Sequence, residues 1–487
     1  MFGRPEWQRR DVHGSMLTRT AAIIPLILAA TTPQAIAQNS PPPAGVIVFV
    51  ADDQGGRDAG VYGNTAIRTP NIDQLAADGI RFDRAFLTTS SCSPSRSSIL
   101  TGRYPHSTGA EDLHAPLPAG QTTIARLLGD TGVYTASIGK WHLGDAERAN
   151  WDTIVEVPGE DLADRTLDVF ADRPADRPFF LWVASTDPHR TYPGTGTATP
   201  HDPADVAISP YLPDHPLVRD DLAAYYDEIA RFDDAVGRVL GALDAEGIAN
   251  DTLVLYLSDN GMPFPRAKTT LFDSGTLTPF IVRWPRAVEG GTVEDGLVSA
   301  IDIAPTIADA YGIEMPTAQG RSLLPSLNGS GSSGREAVFA EANWHDYEQF
   351  TRAVRTDRFK LIRNYYWDTP LWHPADSVNS ITWEAMRELD AAGRLTPAQR
   401  YLMQPARPFE ELYDLERDPD ELTNVVDDPI YRDELARLRT RLDNWRVETD
   451  DRMPAERRLD GFNREGEPLP HNQPWYDNSL RQRPPED

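Results

Sequence analysis

Unbroken apolar runs alternate along this chain with stretches of helical spacing. Residues 46–50 (VIVFV) are wholly apolar and rich in β-branched side chains. That is the pattern of a strand buried on both faces of a parallel sheet. Residues 179–184 (FFLWVA), 253–257 (LVLYL) and 280–282 (FIV) read the same way. Between them, residues 71–79 (NIDQLAADG) predict a short helix stopped by glycine, and residues 122–132 a second. Residues 221–247 predict a long helix, with Leu222, Ile229, Phe232, Val236, Leu240 and Leu243 recurring along one face. Strands alternating with helices predict an α/β domain whose mostly parallel central sheet is covered on both faces. The pattern changes after residues 328–334 (NGSGSSG). Residues 337–341, 352–355 and 359–363 predict short strands and residues 431–447 a terminal helix, which together give a smaller C-terminal α+β unit with an antiparallel sheet. The resulting division is a main domain over 38–327, a connector over 328–335, a second unit over 336–450 and a tail rich in proline and charge over 451–487.

The first residues read as a targeting segment. Arg19 precedes the apolar run 21–30, and Ala35-Ile36-Ala37 has the small-x-small form of a signal-peptidase site. Residues 1–37 are therefore expected to be a signal peptide, with Met16 as an alternative start. A buried N-terminal helix is the competing reading, and Pro25 would break it. The run is too short for a permanent membrane helix and no other segment approaches that length, so stable membrane insertion is not expected. The predicted location is exported, either periplasmic or secreted. The formal charge is −27, from 47 basic against 74 acidic residues. A field of that sign repels nucleic acid and anionic membrane, so neither is an expected partner. An anionic substrate would need a local cluster of cations to overcome it.

Two predicted strands end in acidic pairs, Asp52-Asp53 and Asp259-Asn260. Taken singly, each pair reads as turn or helix capping. In an open α/β sheet, however, ligand sites lie beyond the carboxyl ends of the strands. If the two strands are neighbours, four oxygen-bearing side chains converge, a donor set that suits Ca²⁺ or Mg²⁺. Cys92 is the only cysteine in 487 residues. It reads either as a small buried apolar side chain or as a reactive group. The stretch SSCSPSRSSILTG places it near the N-terminus of a short helix, an end that attracts anions and depresses a thiol pKa. Arg96 follows one turn later. These residues alone suit a cysteine hydrolase as well as other nucleophilic chemistry.

Cys92-Ser93-Pro94-Ser95-Arg96, continued by Leu100-Thr101-Gly102, resembles the signature of the type I sulfatases. The stretches VADDQGG, IRTPNIDQLAADGIRF, GKWHLG, DPHR and LSDNG are similar to blocks of that family in their order. RTDRFKLIRN and ELYDLERDPDELTN are similar to its second domain. Within the family, SSCSPSR, YLPDHP and DNGMPFPRAKTTLF look most like the branch that cleaves a sulfamate on glucosamine. GKWHLG and Lys268 look more like the broad sulfatase pattern.

The resemblance implies an alkaline-phosphatase-like fold and the oxidation of Cys92 to formylglycine by a separate maturation enzyme. It implies that Asp52, Asp53, Asp259, Asn260 and the modified residue 92 ligate one divalent cation, Ca²⁺ with Mg²⁺ as the alternative. By the same pattern Arg96 and Lys140 hold the aldehyde hydrate and the sulfate oxygens. His142 takes the proton from the second hydroxyl, and His189 and Lys268 face the leaving group. Asp187, Arg190, His114 and His345 are candidate sugar contacts. The expected substrate is a sulfated mono-, oligo- or polysaccharide carrying an O-sulfate ester or an N-sulfamate. Competing readings are a phosphonate or phosphodiester hydrolase of the same superfamily, and a non-catalytic saccharide-binding relative that keeps an unmodified Cys92.

Overall fold

A computed structural model describes residues 41–456 except 193, 195, 196, 198, 332 and 333. The expected signal peptide, two residues of the connector and most of the tail lie outside the described residues. The central sheet has nine strands: β1 (Gly45–Ala51), β2 (Ile80–Phe86), β3 (Tyr134–Gly139), β4 (Thr153–Val155), β5 (Phe179–Ala184), β6 (Thr252–Ser258), β7 (Leu277–Arg283), β8 (Thr292–Glu294) and β9 (Val298–Ser299). Their spatial order is β4-β3-β5-β1-β6-β7-β2-β8, with β9 also paired to β2. The ladder is parallel except on the two sides of β7. The four strands predicted for this sheet are all present; β5 has the predicted bounds, and β1, β6 and β7 are longer by two residues or more.

The alternation within β1 shows why the sheet must be covered twice. Val46, Val48 and Val50 pack on one face, whereas Ile47, Phe49 and Ala51 pack on the other, and all are buried. The first face is covered by α2 (Cys92–Thr101), α3 (Ile124–Asp130) and α6 (Ile303–Ala310). The second is covered by α1 (Pro70–Ala77), α4 (Leu162–Asp172) and α5 (Pro216–Ala245). Helix α5 starts earlier than its apolar spacing predicts. His215 is its N-cap and Pro216 occupies the first turn, where the missing N–H costs nothing.

A second sheet has four antiparallel strands in the order β10 (Val338–Trp344), β11 (Glu348–Arg355), β12 (Phe359–Asn364) and β13 (Glu410–Asp414). One face packs on α9 (Arg432–Glu448) through Leu435, Leu438, Leu442 and Trp445. Ala353 and Ile362 of the sheet share another apolar cluster with Leu222 and Ile229 of α5 and with Trp383 and Met386 of α8 (Ile381–Ala391). Because α5 serves both sheets, the described residues belong to one compact unit. Among them, no helix is long and apolar enough to cross a membrane.

Candidate active site

Strands β1 and β6 are parallel neighbours with Ala51 opposite Ser258. Both acidic pairs therefore leave the sheet side by side at its carboxyl edge. Asp52, Asp53, Asp259 and Asn260 are all buried, and the Asp53 N–H donates to Asp259 Oδ1 at 3.2 Å. Asp53 holds a φ of 81°, a left-handed conformation that costs a non-glycine residue about 1–3 kcal/mol. Helix α2 begins at Cys92, whose Sγ lies 3.9 Å from Asp53 Oδ1.

Strand β3 delivers the next group. It ends at Gly139, with a φ of 96°, and a Cβ there would lie 1.9 Å from the Ala184 carbonyl oxygen. Only glycine lets the chain turn that close to β5. The turn lets the Lys140 N–H donate to Ala184 O at 2.8 Å, and its Nζ stands 2.6 Å from Asp52 Oδ2. Two residues on, His142 adopts a φ of 53° and meets His114, itself at 64°. His142 Nε2 and His114 Nδ1 are 2.7 Å apart. Strained non-glycine residues thus gather around the carboxylates.

A cavity of about 770 Å³ opens above this floor. Cys92, Lys140, His142 and His189 border it, as do Lys268, His114 and His345. Lys268 bridges Asp53 Oδ2 at 2.8 Å and Asp376 Oδ2 at 2.7 Å. His189 Nε2 lies 3.7 Å from Asp376 Oδ2 and 3.9 Å from Asp53 Oδ2, and its Nδ1 faces the Arg190 carbonyl. His345 is bonded through Nδ1 to Ser91 Oγ at 2.9 Å.

The structure places Arg96, Asp187 and Arg190 outside the lining of this cavity, and it overturns the expectation of an acidified Cys92. Arg96 does not reach the cavity. Its guanidinium is fully buried, with Nε 2.8 Å from Asp259 Oδ2 and Nη2 3.5 Å from Asp52 Oδ1, while Nη1 donates to the Lys140 carbonyl at 3.1 Å. One helical turn from Cys92 carries it beneath the carboxylates, where it neutralises them. Asp187 and Arg190 do not border the main cavity either. Asp187 pairs with Arg231 at 2.6 Å and Arg190 with Asp221 at 2.6 Å, so both bind the His189 loop to α5. The Cys92 thiol is not acidified by its helix end, because burial pushes its pKa up despite Lys140 and Lys268. As a thiol it is a poor nucleophile.

Asp376 was not predicted. It lies on α7 (Ala375–Val378), four residues that carry no periodic signal. Burial opposes its charge, but Lys268 and then His189 hold its carboxyl well below the usual range. His142 is driven the other way. Burial, then Lys140 and His114, hold it well below the ordinary histidine pKa, so it stays neutral.

The donor set fits a hard divalent cation. One ligand atom from each of Asp52, Asp53, Cys92 and Asp259 lies within 4.8 Å of the others, the spread expected across an ion with oxygen ligands at about 2.3–2.6 Å. Asp52 Oδ1 and Asn260 Oδ1 are buried and accept no hydrogen bond. Burial pushes Asp259 up to about 6, with Asp52 and Asp53 adding to the push against the pull of Arg96. Arg96, Lys140 and Lys268 match the three carboxylates in charge, so what a cation would complete here is the coordination of the two unpartnered oxygens.

The chain matches the family described as "Sulfatase" over residues 45–313, more than half its length. It belongs to the sulfatase family. Residues 266–380 of this sulfatase also match the family described as "N-sulphoglucosamine sulphohydrolase, C-terminal". It is 35% identical to the human N-sulphoglucosamine sulphohydrolase over 84% of this chain and 91% of that protein. It is 29% identical to an ulvan-active sulfatase of Formosa agariphila over 79% of this chain and 72% of that one. Among solved structures, one in complex with "its substrate D-Glucosamine-2-N, 6-O-disulfate" superposes with a TM-score of 0.68 at 21% identity, covering 86% of this chain and 100% of that chain. The shared architecture is the alkaline-phosphatase-like α/β sandwich. The sulfatase is accordingly a sulfuric ester hydrolase.

Proposed function

We propose that this sulfatase is exported and removes N-sulfate groups from glucosamine in a sulfated saccharide of glycosaminoglycan type. The observation that carries the reading is where the 266–380 segment falls. That segment is similar to the N-sulphoglucosamine sulphohydrolase C-terminal family, and it supplies Lys268, His345 and Asp376 to one wall of the cavity. The similarity to the human enzyme over most of both chains supports the same substrate. The leader pattern of residues 1–37 supports export.

In this reading Cys92 is the precursor of formylglycine, made by a separate enzyme; hydrated, that residue would supply one hydroxyl as the nucleophile toward sulfur and a second whose deprotonation would release sulfate. A divalent cation, Ca²⁺ or Mg²⁺, held by Asp52, Asp53, Asp259, Asn260 and residue 92 would lower the hydroxyl pKa and neutralise sulfate charge. The remaining steps belong to the chain. Lys140 Nζ, beside Asp52, is placed to meet a sulfate oxygen. His142 is neutral, and its Nε2 is bonded to His114, so the proton is taken at Nδ1, which has no partner. His189 shows its Nε2 to the cavity because Nδ1 faces the Arg190 carbonyl, and Nε2 gives the proton to the leaving nitrogen. Arg96 keeps the carboxylates ionised from below.

The similarity to an ulvan-active sulfatase favours a second reading, a sulfate ester on a polysaccharide. One panel separates the two. Matured, metal-loaded protein is given N-sulfoglucosamine, 6-O-sulfated N-acetylglucosamine and a sulfated ulvan oligosaccharide, and free sulfate is measured by ion chromatography. Preferential release from N-sulfoglucosamine is expected. Release from the O-sulfated sugars alone would overturn the proposal.

A further inference from the structure

Asp376 introduces a carboxylate on the leaving-group side of the cavity that the chemistry above does not use. Its side chain is 15% exposed and borders the cavity. Oδ2 is shared between Lys268 Nζ at 2.7 Å and His189 Nε2 at 3.7 Å, whereas Oδ1 is buried and accepts no hydrogen bond. The segment that carries it is fixed, since the Ala375 N–H donates to Asp346 Oδ2 at 2.6 Å. An unsatisfied buried carboxylate oxygen is costly, and an ionised carboxylate can only accept. What suits it is a donor arriving with the ligand.

The two substrate chemistries differ in that respect. The bridging oxygen of a sulfate ester carries no hydrogen, and after cleavage the alcohol has one. The bridging nitrogen of a sulfamate already carries one N–H and departs as an amine that protonates to an ammonium. We propose that Asp376 is a specificity-determining residue that accepts the N–H of the leaving nitrogen through Oδ1 and so selects sulfamates over sulfate esters. The proposal rests on the N-sulfate reading and adds to it the group that makes the choice. His189 and Lys268 serve either leaving group, whereas the unpartnered Oδ1 beside them meets a hydrogen on the bridging atom before cleavage only when that atom is nitrogen.

The test compares wild type with Asp376→Asn and Asp376→Ala as full-length, matured, metal-loaded protein. kcat/KM is measured on N-sulfoglucosamine and on p-nitrophenyl sulfate. A hydrogen bond to a charged acceptor is typically worth about 10- to 100-fold. The variants should therefore lose about that factor more on N-sulfoglucosamine than on the aryl ester. Equal losses on both would mean that Asp376 only holds Lys268 and His189, and would overturn the assignment while leaving the N-sulfate reading intact. Wild type that cleaves 6-O-sulfated N-acetylglucosamine but not N-sulfoglucosamine would overturn that reading and this proposal with it. Should both variants fail to fold, wild-type inhibition decides. Protonated glucosamine should inhibit more strongly than N-acetylglucosamine, and equal inhibition by the two would overturn the proposal.

Discussion

Cys92 joins two facts that conflict for an ordinary cysteine nucleophile: it stands at the mouth of the carboxylate cluster, and burial keeps its thiol protonated. The proposed conversion to an aldehyde would resolve the conflict, because a hydrated aldehyde needs no thiolate. Protein from a host with the maturation enzyme should therefore carry a peptide about 18 Da lighter than the unmodified sequence, as expected from replacing CH₂SH by CHO, a covalent change that the physical argument must include. Cys92→Ala should abolish turnover and leave the melting temperature nearly unchanged. Fully active protein containing only the free thiol would sink the mechanism. A second residue allows a pH prediction with a definite sign. His373 is buried, and burial lowers its pKa from 6.5 to about 4. Between those values the unfolded chain binds a proton that the folded chain refuses, so stability falls as pH drops from 6.5 toward 4 and then levels off. The depth of that fall is about 3 kcal/mol for the single group. Urea midpoints of wild type and His373→Gln, taken across that window, should diverge in slope, with the variant shallower. Parallel slopes would show that His373 takes up its proton without cost to the fold.

At the scale of elements, the site is a product of register. Asp52-Asp53 and Asp259-Asn260 are some two hundred residues apart, and only the parallel pairing of β1 with β6 makes them one cluster. The sequence already placed both pairs at strand ends, and apolar runs made both strands legible. Other elements were not legible, for identifiable reasons. Strand β2 (IRFDRAF) interrupts its apolar residues with Arg81, Asp83 and Arg84, and β3 (YTASIG) is built largely from small residues. Helix α7, which brings Asp376, is shorter than the period that would reveal it. Arg96 and Arg190 lie in legible motifs, yet what each touches depends on partners from distant elements, Asp259 of β6 and Asp221 of α5. Motifs gave the residues but not the direction in which they point. The register argument predicts the outcome of removing one strand-end carboxylate. Asp259→Ala should lower bound calcium measured by plasma emission spectroscopy and cut kcat by at least about 100-fold, a loss at or beyond the upper range for disturbing a metal's outer shell. Retained stoichiometric calcium would mean that the cluster is not the ion's site.

At the scale of the whole molecule, two fields act on an anionic saccharide. The chain carries a formal charge of −27, and that field repels the substrate from a distance. Lys140 and Lys268 attract it at close range from largely buried positions, their side chains 19% and 1% exposed. The two differ in how salt affects them. The screening length shrinks from about 30 Å at 0.01 M to about 10 Å at 0.1 M, so the diffuse repulsion fades while contacts among buried groups change little. Because the repulsion scales with substrate charge, a multiply sulfated oligosaccharide should gain more from salt than a singly charged aryl sulfate. Between about 0.01 M and about 0.1 M sodium chloride, kcat/KM on the oligosaccharide should rise several-fold, and on p-nitrophenyl sulfate by less than about twofold, the pattern of long-range repulsion being screened. Initial rates at substrate concentrations well below KM, with calcium held constant, give the comparison directly. A decline with salt on the oligosaccharide would show that the cations at the cavity, not the acidic surface, govern its approach.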